Sequence, residues 1–197
     1  MIEIYNLQKY YHKKLVLSID YLHFEKGKVY LLVGFNGSGK STLLKSILKI
    51  IDYKGKIEVN TSKIGFLPER FPEVSYISSL SFLRGLIIDE NEENIHKYAK
   101  LFNIILNLSI SNMSKGNLQK VMIVQAIMNN ASLMIFDEPL NGLDPKMQDV
   151  FINIIKELKN ENRCIIITTH YQKYYENVLD EIIYLENGKI YENKTNI

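Results

Sequence analysis

Gly34, Gly39, Lys40 and Ser41 stand at the fixed positions of G-x-x-x-x-G-K-[ST] within GFNGSGKST, residues 34–42. Glycines let a backbone curl until successive N–H groups point at one centre, where phosphate oxygens are the natural ligand. Gly34, Asn36, Gly37, Ser38, Gly39, Lys40, Ser41 and Thr42 are therefore the candidate cradle of a nucleotide. Lys40 is placed to reach the β- and γ-phosphates, Ser41 to ligate Mg²⁺, and Thr42 to add a hydroxyl near the α-phosphate. The apolar run VYLLV precedes the loop, and Leu43, Leu44, Ile47, Leu48 and Ile51 follow it at helical spacing. That strand–loop–helix context adds the positive end of a helix to the anion site.

A second stretch, LMIFDEP at 133–139, sets four apolar residues before two carboxylates. It reads as a buried strand delivering Asp137 and Glu138 at its C-terminal end, where open α/β sheets bind ligands. Asp137 suits a Mg²⁺ coordination sphere, directly or through water. Glu138 can accept a proton from a water aimed at the γ-phosphate, help worth ~10²–10⁴-fold in rate. A third stretch, MSKGNLQK, opens an apolar helix with Ser114 as N-cap and Gly116 allowing close approach. On residues alone this is equally an ordinary capped helix. His170, after CIIITT, is likewise open to a structural reading.

These groups need a scaffold, and the rest of the sequence describes one. Short strands are predicted at IEIY, LVLSI, VYLLV, KIEV and KIGFL, with a turn at Glu25–Gly27. Helices are predicted over ISSLSFLRGLII and IHKYAKLFNIIL, the latter preceded by the acidic run DENEEN. A further helix starts near Ser114. Strand LMIF, helix Pro145–Leu158, strand CIIIT, a short helix near YQKYYENV and strands IIYL and KIYE complete the chain. Strands alternating with helices imply an α/β core with a largely parallel sheet. The 197 residues, 46% hydrophobic and 23% charged, are enough for a sizeable core. A net charge of +2 argues against a nucleic-acid partner. The one cysteine, Cys164, lies in an apolar run and reads as a core thiol. Neither a signal peptide nor a membrane-spanning run is expected.

The set GFNGSGKST, SKGNLQK, LMIFDEP, LNGLDP and His170 after CIIITT, in that order, resembles the ATP-binding cassette (ABC) ATPase family across essentially the whole chain. Ser114 to Asp137 is 137 − 114 = 23 positions and Asp137 to His170 is 170 − 137 = 33, spacings similar to that family's. The resemblance implies a P-loop NTPase core, an N-terminal antiparallel β lobe and a small helical lobe, about 72–130, inserted in one domain spanning 1–197. It implies ATP and Mg²⁺ as ligands, and a second ABC ATPase chain paired head to tail. Each nucleotide would then lie between one chain's loop and the Ser114–Gly116 signature of the other. By the same resemblance Asp144 runs along the dimer interface, and His170 contacts the γ-phosphate and holds the attacking water with Glu138. Tyr11, with Tyr10 as neighbour, would stack on adenine.

Three features depart from the family pattern. The signature has Lys115 and Asn117 where glycine and glutamine are usual, while Ser114 and Gly116 are kept. Glu69 replaces a common glutamine after IGFLP, and still offers an oxygen toward Mg²⁺. The Lys40–Glu69 segment is short for the family. The first and second features resemble small bacterial exporter-type cassettes. The expected role is the ATPase subunit of an ABC transporter, powering export through a separate transmembrane subunit and held at the inner face of the cell membrane by it. The rival is a soluble ABC ATPase driving a cytosolic complex, as in iron–sulfur cluster assembly.

Overall fold

The computed structural model describes residues 1–71, 76–88 and 92–192. Two sheets share the fold. Strands β1 (Ile2–Tyr11), β2 (Lys14–Phe24) and β4 (Lys54–Val59) form an antiparallel sheet in the order β2-β1-β4. Strands β3 (Val29–Val33), β5 (Ile64–Leu67), β6 (Leu133–Asp137), β7 (Cys164–Thr168), β8 (Glu181–Glu186) and β9 (Lys189–Glu192) form the second, ordered β5-β6-β7-β3-β8-β9. All its pairings are parallel except β8 with β9. The expected mixed architecture, a largely parallel sheet with an N-terminal antiparallel one, is present.

The unbroken apolar runs VYLLV, LMIF and CIII follow from this topology. Strands β3, β6 and β7 are covered on both faces, so alternation gives way to continuous hydrophobicity. Val29, Leu31, Met134, Phe136, Ile165 and Ile167 face a core shared with helices α4 (Lys115–Ile127) and α5 (Pro145–Asn160). Tyr30, Leu32, Ile135 and Ile166 face the other core, shared with helix α1 (Lys40–Ile47) and the antiparallel sheet. Cys164 is fully buried there, and burial pushes its thiol up to about 12, so it is the inert core thiol expected.

Several helices are shorter than their apolar periodicity predicts. Helix α1 stops at Ile47, and Lys49 then takes a left-handed φ of 56°. Helix α2 covers only Ser79–Arg84, N-capped by Ser78 and ended at Gly85. Helix α3 (Glu93–Leu101) ends before Asn103, whose φ of 52° turns the chain. The segment near YQKYYENV forms a single 3-10 turn, Gln172–Tyr175. Residues 72–75, at the start of the expected helical lobe, and 89–91 of the acidic run lie outside the described residues.

Candidate functional site

Strand order brings the chemistry together. Strand β7 lies between β6 and β3, so Thr168 is in register with Asp137 on one side and Leu32 on the other. The carboxylates at the end of β6, the residues after β7 and the glycine loop after β3 therefore emerge at one sheet edge, at the C-terminal ends of the strands.

The loop is held in several ways. Gly37 and Gly39 have φ of 81° and 112°, left-handed conformations that a Cβ would strain. Ser38 N–H donates to Phe35 O at 3.1 Å, and Gly188 N–H donates to Ser38 O at 2.9 Å, tying the loop to the β8–β9 hairpin. Lys40 is largely buried, and its ammonium donates to Gly34 O at 2.6 Å and Phe35 O at 3.3 Å. Ser38 is buried behind the loop and its hydroxyl packs beside Gly34.

Beside the loop the two carboxylates are positioned differently. Ser41 Oγ donates to Asp137 Oδ2 at 3.1 Å, and Thr168 Oγ1 donates to Asp137 Oδ1 at 2.5 Å. Glu138 sits at φ 52°, a conformation that costs a non-glycine residue ~1–3 kcal/mol. Its N–H is held by Thr168 Oγ1 at 2.9 Å. Its Oε1 lies 3.2 Å from His170 Nε2. Burial raises the Glu138 carboxyl above its ordinary pKa, with Asp137 adding to the rise, while His170 and Lys40 oppose it. A carboxylate made more basic in this way is suited to accept a proton.

A cavity of about 440 Å³ gathers Asn36, Gly37, Gly39, Lys40, Ser41, Thr42, Glu69, Asp137, Glu138 and His170, joined by Val16 and Arg70. Ser41 and Asp137, which are hydrogen-bonded to each other, and Glu69 all line this cavity, and their hydroxyl and carboxylate oxygens are hard donors of the kind that fits Mg²⁺.

Some expected residues lie elsewhere. Tyr11 does not line the cavity: it ends β1, 41% exposed, with the Lys9 ammonium 4.8 Å from its ring centre. An apolar residue that does line it is Val16 of β2, two positions beyond Lys14, the register partner of Tyr11. Ser114, Gly116 and Asp144 are also outside it. Ser114 caps α4, its Oγ accepting from Asn117 N–H at 3.3 Å. Asp144 caps α5, its Oδ1 accepting from Met147 N–H at 3.0 Å. The two segments touch: a Cβ on Gly116 would come within 2.5 Å of Gly142 O. Buried Gln119 of α4 donates to Pro139 O at 2.9 Å, linking the signature helix to the end of the Asp137–Glu138 strand.

Sequence reasoning missed Val16, Arg70 and Thr168. Arg70 adjoins Glu69 in LPER, and Thr168 is the first polar residue after CIII, a signal that only the pairing of β7 with β6 makes legible.

The family model described as ABC transporter matches residues 18–141. The chain belongs to the ABC transporter family. It is 37% identical to an uncharacterized ABC transporter ATP-binding protein of Methanocaldococcus jannaschii, over 95% of this chain and 75% of that protein. It is 28% identical to the glutamate/aspartate import ATP-binding protein of Escherichia coli, over 98% of this chain and 90% of the other. A solved ATP-binding subunit of an ABC transporter superposes with a TM-score of 0.88 at 27% identity, covering 96% of this chain and 87% of that one. This ABC protein is thus an ATP-binding subunit and an ATPase.

Proposed function

We propose that this ATPase hydrolyses Mg²⁺-ATP in the cavity between the glycine loop and the β6–β7 strand ends, and that a separate membrane subunit turns the resulting motion into export. One observation carries the catalytic part: Lys40, Ser41, Asp137, Glu138 and His170 line a single cavity at one sheet edge. Lys40, with the loop N–H groups and the N-terminus of α1, binds the phosphates. Ser41 and Asp137, together with Glu69, would hold Mg²⁺, whose chemistry there would be neutralisation of phosphate charge. Glu138 accepts the proton of the attacking water as its oxygen bonds to the γ-phosphorus, and the bond to the bridging oxygen of ADP breaks. His170, whose Nε2 lies 3.2 Å from Glu138 Oε1, orients that water with it and contacts the γ-phosphate.

A lone chain leaves Ser114, Gly116 and Asp144 away from its own cavity. The reading assigns them to a neighbouring chain's nucleotide: the N-terminus of α4 faces the partner's γ-phosphate and Asp144 lies at the interface. The helices before α4 form the helical lobe of one domain, which takes contacts from the membrane subunit. No helix among the described residues is long and apolar enough to cross a membrane; the reading assigns the membrane-spanning part to a separate subunit. The export direction rests on the IGFLPE and MSKGN variants; import proteins are also among the relatives.

The test is a pull-down of tagged Glu138→Gln chain from its native cells, with ATP and mild detergent. A co-purifying multi-span membrane protein is expected, and reconstituting that pair in vesicles gives the direction. Recovery of soluble partners alone at every detergent level would overturn the transporter coupling in favour of a cytosolic complex.

A further inference from the structure

Helix α4 touches, near each of its ends, backbone that leads to the catalytic edge. Toward its C-terminus it lies against β5, where a Cβ on Gly65 would run into Ala126 O. Only a glycine lets strand and helix approach this closely, and the same strand leads on to Glu69. At its N-terminus Ser114, Lys115 and Asn117 are exposed, and Gln119 is the first buried side chain. Gln119 is 4% exposed, and its Nε2 donates to Pro139 O at 2.9 Å. Pro139 directly follows Glu138.

The turn that Gln119 grips is a compact unit. Asn141 N–H donates to Glu138 O at 3.2 Å, Leu143 N–H donates to Leu140 O at 3.1 Å, and Asp144 then caps α5. Pro139, Leu140 and Leu143 are buried, so the unit sits on the core rather than in solvent. Two glutamine amides brace it from outside. Gln148 Nε2 donates to Leu143 O at 3.1 Å, and Gln119 Nε2 serves Pro139 O. The two braces differ in what they join. Gln148 ties the turn to α5, the helix that continues it, whereas Gln119 ties it to α4, which lies earlier in the chain and carries the signature. Gly116, one turn before Gln119, also abuts Gly142 O, so α4 meets both halves of the unit.

We propose that Gln119 is a positioning residue that couples the two nucleotide sites of a pair of chains, carrying movement of α4 to the turn that sets this chain's own Glu138. This rests on the reading that the N-terminus of α4 meets a neighbouring chain's nucleotide and that Glu138 is the base. Thr168 Oγ1 holds the Glu138 N–H at 2.9 Å, and Gln119 holds the carbonyl one residue on, so the base hangs between β7 and α4. Both partners of the Gln119 bond are buried, with no water at hand to replace either. A shift of α4 must therefore move Pro139 or break a bond that is costly to leave unmade. Drawing α4 onto the partner's nucleotide thus brings Glu138 into its working position. Coupling of binding is reciprocal, so nucleotide in the chain's own cavity equally sets α4 for the partner.

The experiment compares the natural chain with Gln119→Met, which keeps the shape and removes the donor, and with Gln148→Met, which loosens the same turn without touching α4. Gln119→Asn, whose amide stops one methylene short, replaces the methionine variant if that one folds poorly. Four readouts are taken: thermal melts, titration of the single chain with labelled ADP, ATPase kinetics well below every melt, and light scattering of ATP-driven pairing in a Glu138→Gln background. Both methionine variants should melt below the natural chain, since each leaves a carbonyl without its amide. Gln119→Met should bind ADP and pair on ATP normally, while its kcat falls about tenfold at little-changed KM. Gln148→Met should keep kcat within about twofold, because its loss leaves the link to α4 intact. Unchanged kcat in Gln119→Met, or equal losses at the two glutamines, would overturn the proposal. So would loss of pairing in step with kcat, since the amide would then only shape the docking face. Should Glu138→Gln alone fail to pair on ATP, the two-chain reading itself falls, a result distinct from failure of Gln119 in a chain that pairs.

Discussion

Thr168 holds Asp137 directly: its Oγ1 donates to Asp137 Oδ1 at 2.5 Å while accepting the Glu138 N–H at 2.9 Å. One hydroxyl therefore fixes the rotamer of the proposed metal ligand and the left-handed backbone of the proposed base. The register of β7 with β6 makes this possible, since Asp137 and Thr168 are direct partners.

Replacing Thr168 with valine keeps the shape and removes both bonds. A buried carboxylate oxygen and a buried N–H lose a partner, so a loss of ~1–3 kcal/mol is expected in denaturant melts. The ATPase rate should fall further than stability does. Thr168→Ser, which keeps the hydroxyl, should recover most of the rate. A valine variant with normal turnover would show that Thr168 organises nothing.

Glu138 should reveal its raised pKa in both rate and stability. A carboxyl whose pKa is higher in the folded chain than in the unfolded one penalises folding wherever it must be ionised. Below its ordinary value, about 4.5, both states are protonated and the penalty vanishes. Between that value and the raised one the penalty grows with pH, and above it the penalty is complete. Glu138→Gln removes it, so the variant should be the more stable chain at neutral pH, with an advantage that disappears on acidification. Paired melts from acid to neutral pH check this. In the natural chain the acid limb of kcat should lie above the ordinary carboxylate range, because the base must be ionised to act.

The parts of this design that were legible in the sequence are those set by local chemistry. A loop that must curl needs its glycines, and a strand buried on both faces needs its unbroken apolar run, so GFNGSGKST was legible as a curled loop and VYLLV and LMIF as buried strands. The placement of β7 between β6 and β3 is a tertiary fact, and with it went the significance of Thr168. Helix ends were legible only in part. The apolar period of ISSLSFLRGLII runs past Arg84, yet Gly85 ends the helix. Arg70 could not be separated from ordinary surface arginines until it was seen to share a cavity with Lys40.

Gly116 offers a prediction that separates local packing from contacts between chains. A Cβ there would meet Gly142 O at 2.5 Å, a contact that forces the backbone of one segment to shift. Gly116→Ala should displace the loop leading to Asp144 and lower steady-state ATPase activity by an order of magnitude or more, roughly what disturbing one transition-state contact costs. Binding of ADP to the single chain should be unchanged, since neither residue lines the cavity. Fluorescence titration with a labelled ADP, alongside the ATPase assay, distinguishes the two effects. Weakened ADP binding would mean that the signature acts within its own chain.

The identity of the adenine-facing side chain is the last test. Family resemblance points to Tyr11, but the cavity is lined by Val16, while Tyr11 lies beneath Lys9 at the end of β1. The two positions bracket the β1–β2 turn at His12 and Lys13, both with left-handed φ, so the geometry of that turn decides which one meets the base. Val16→Ala removes two methyl groups from a partly buried wall. It should weaken ATP and ADP binding alike by about fivefold, near 1 kcal/mol. Tyr11→Ala should leave both affinities within about twofold, because an exposed ring outside the cavity contributes little of the buried area that drives binding. Calorimetric titration of the two variants with ADP checks this. A larger loss at Tyr11 than at Val16 would mean that the turn folds over the nucleotide on binding and brings the tyrosine onto the base.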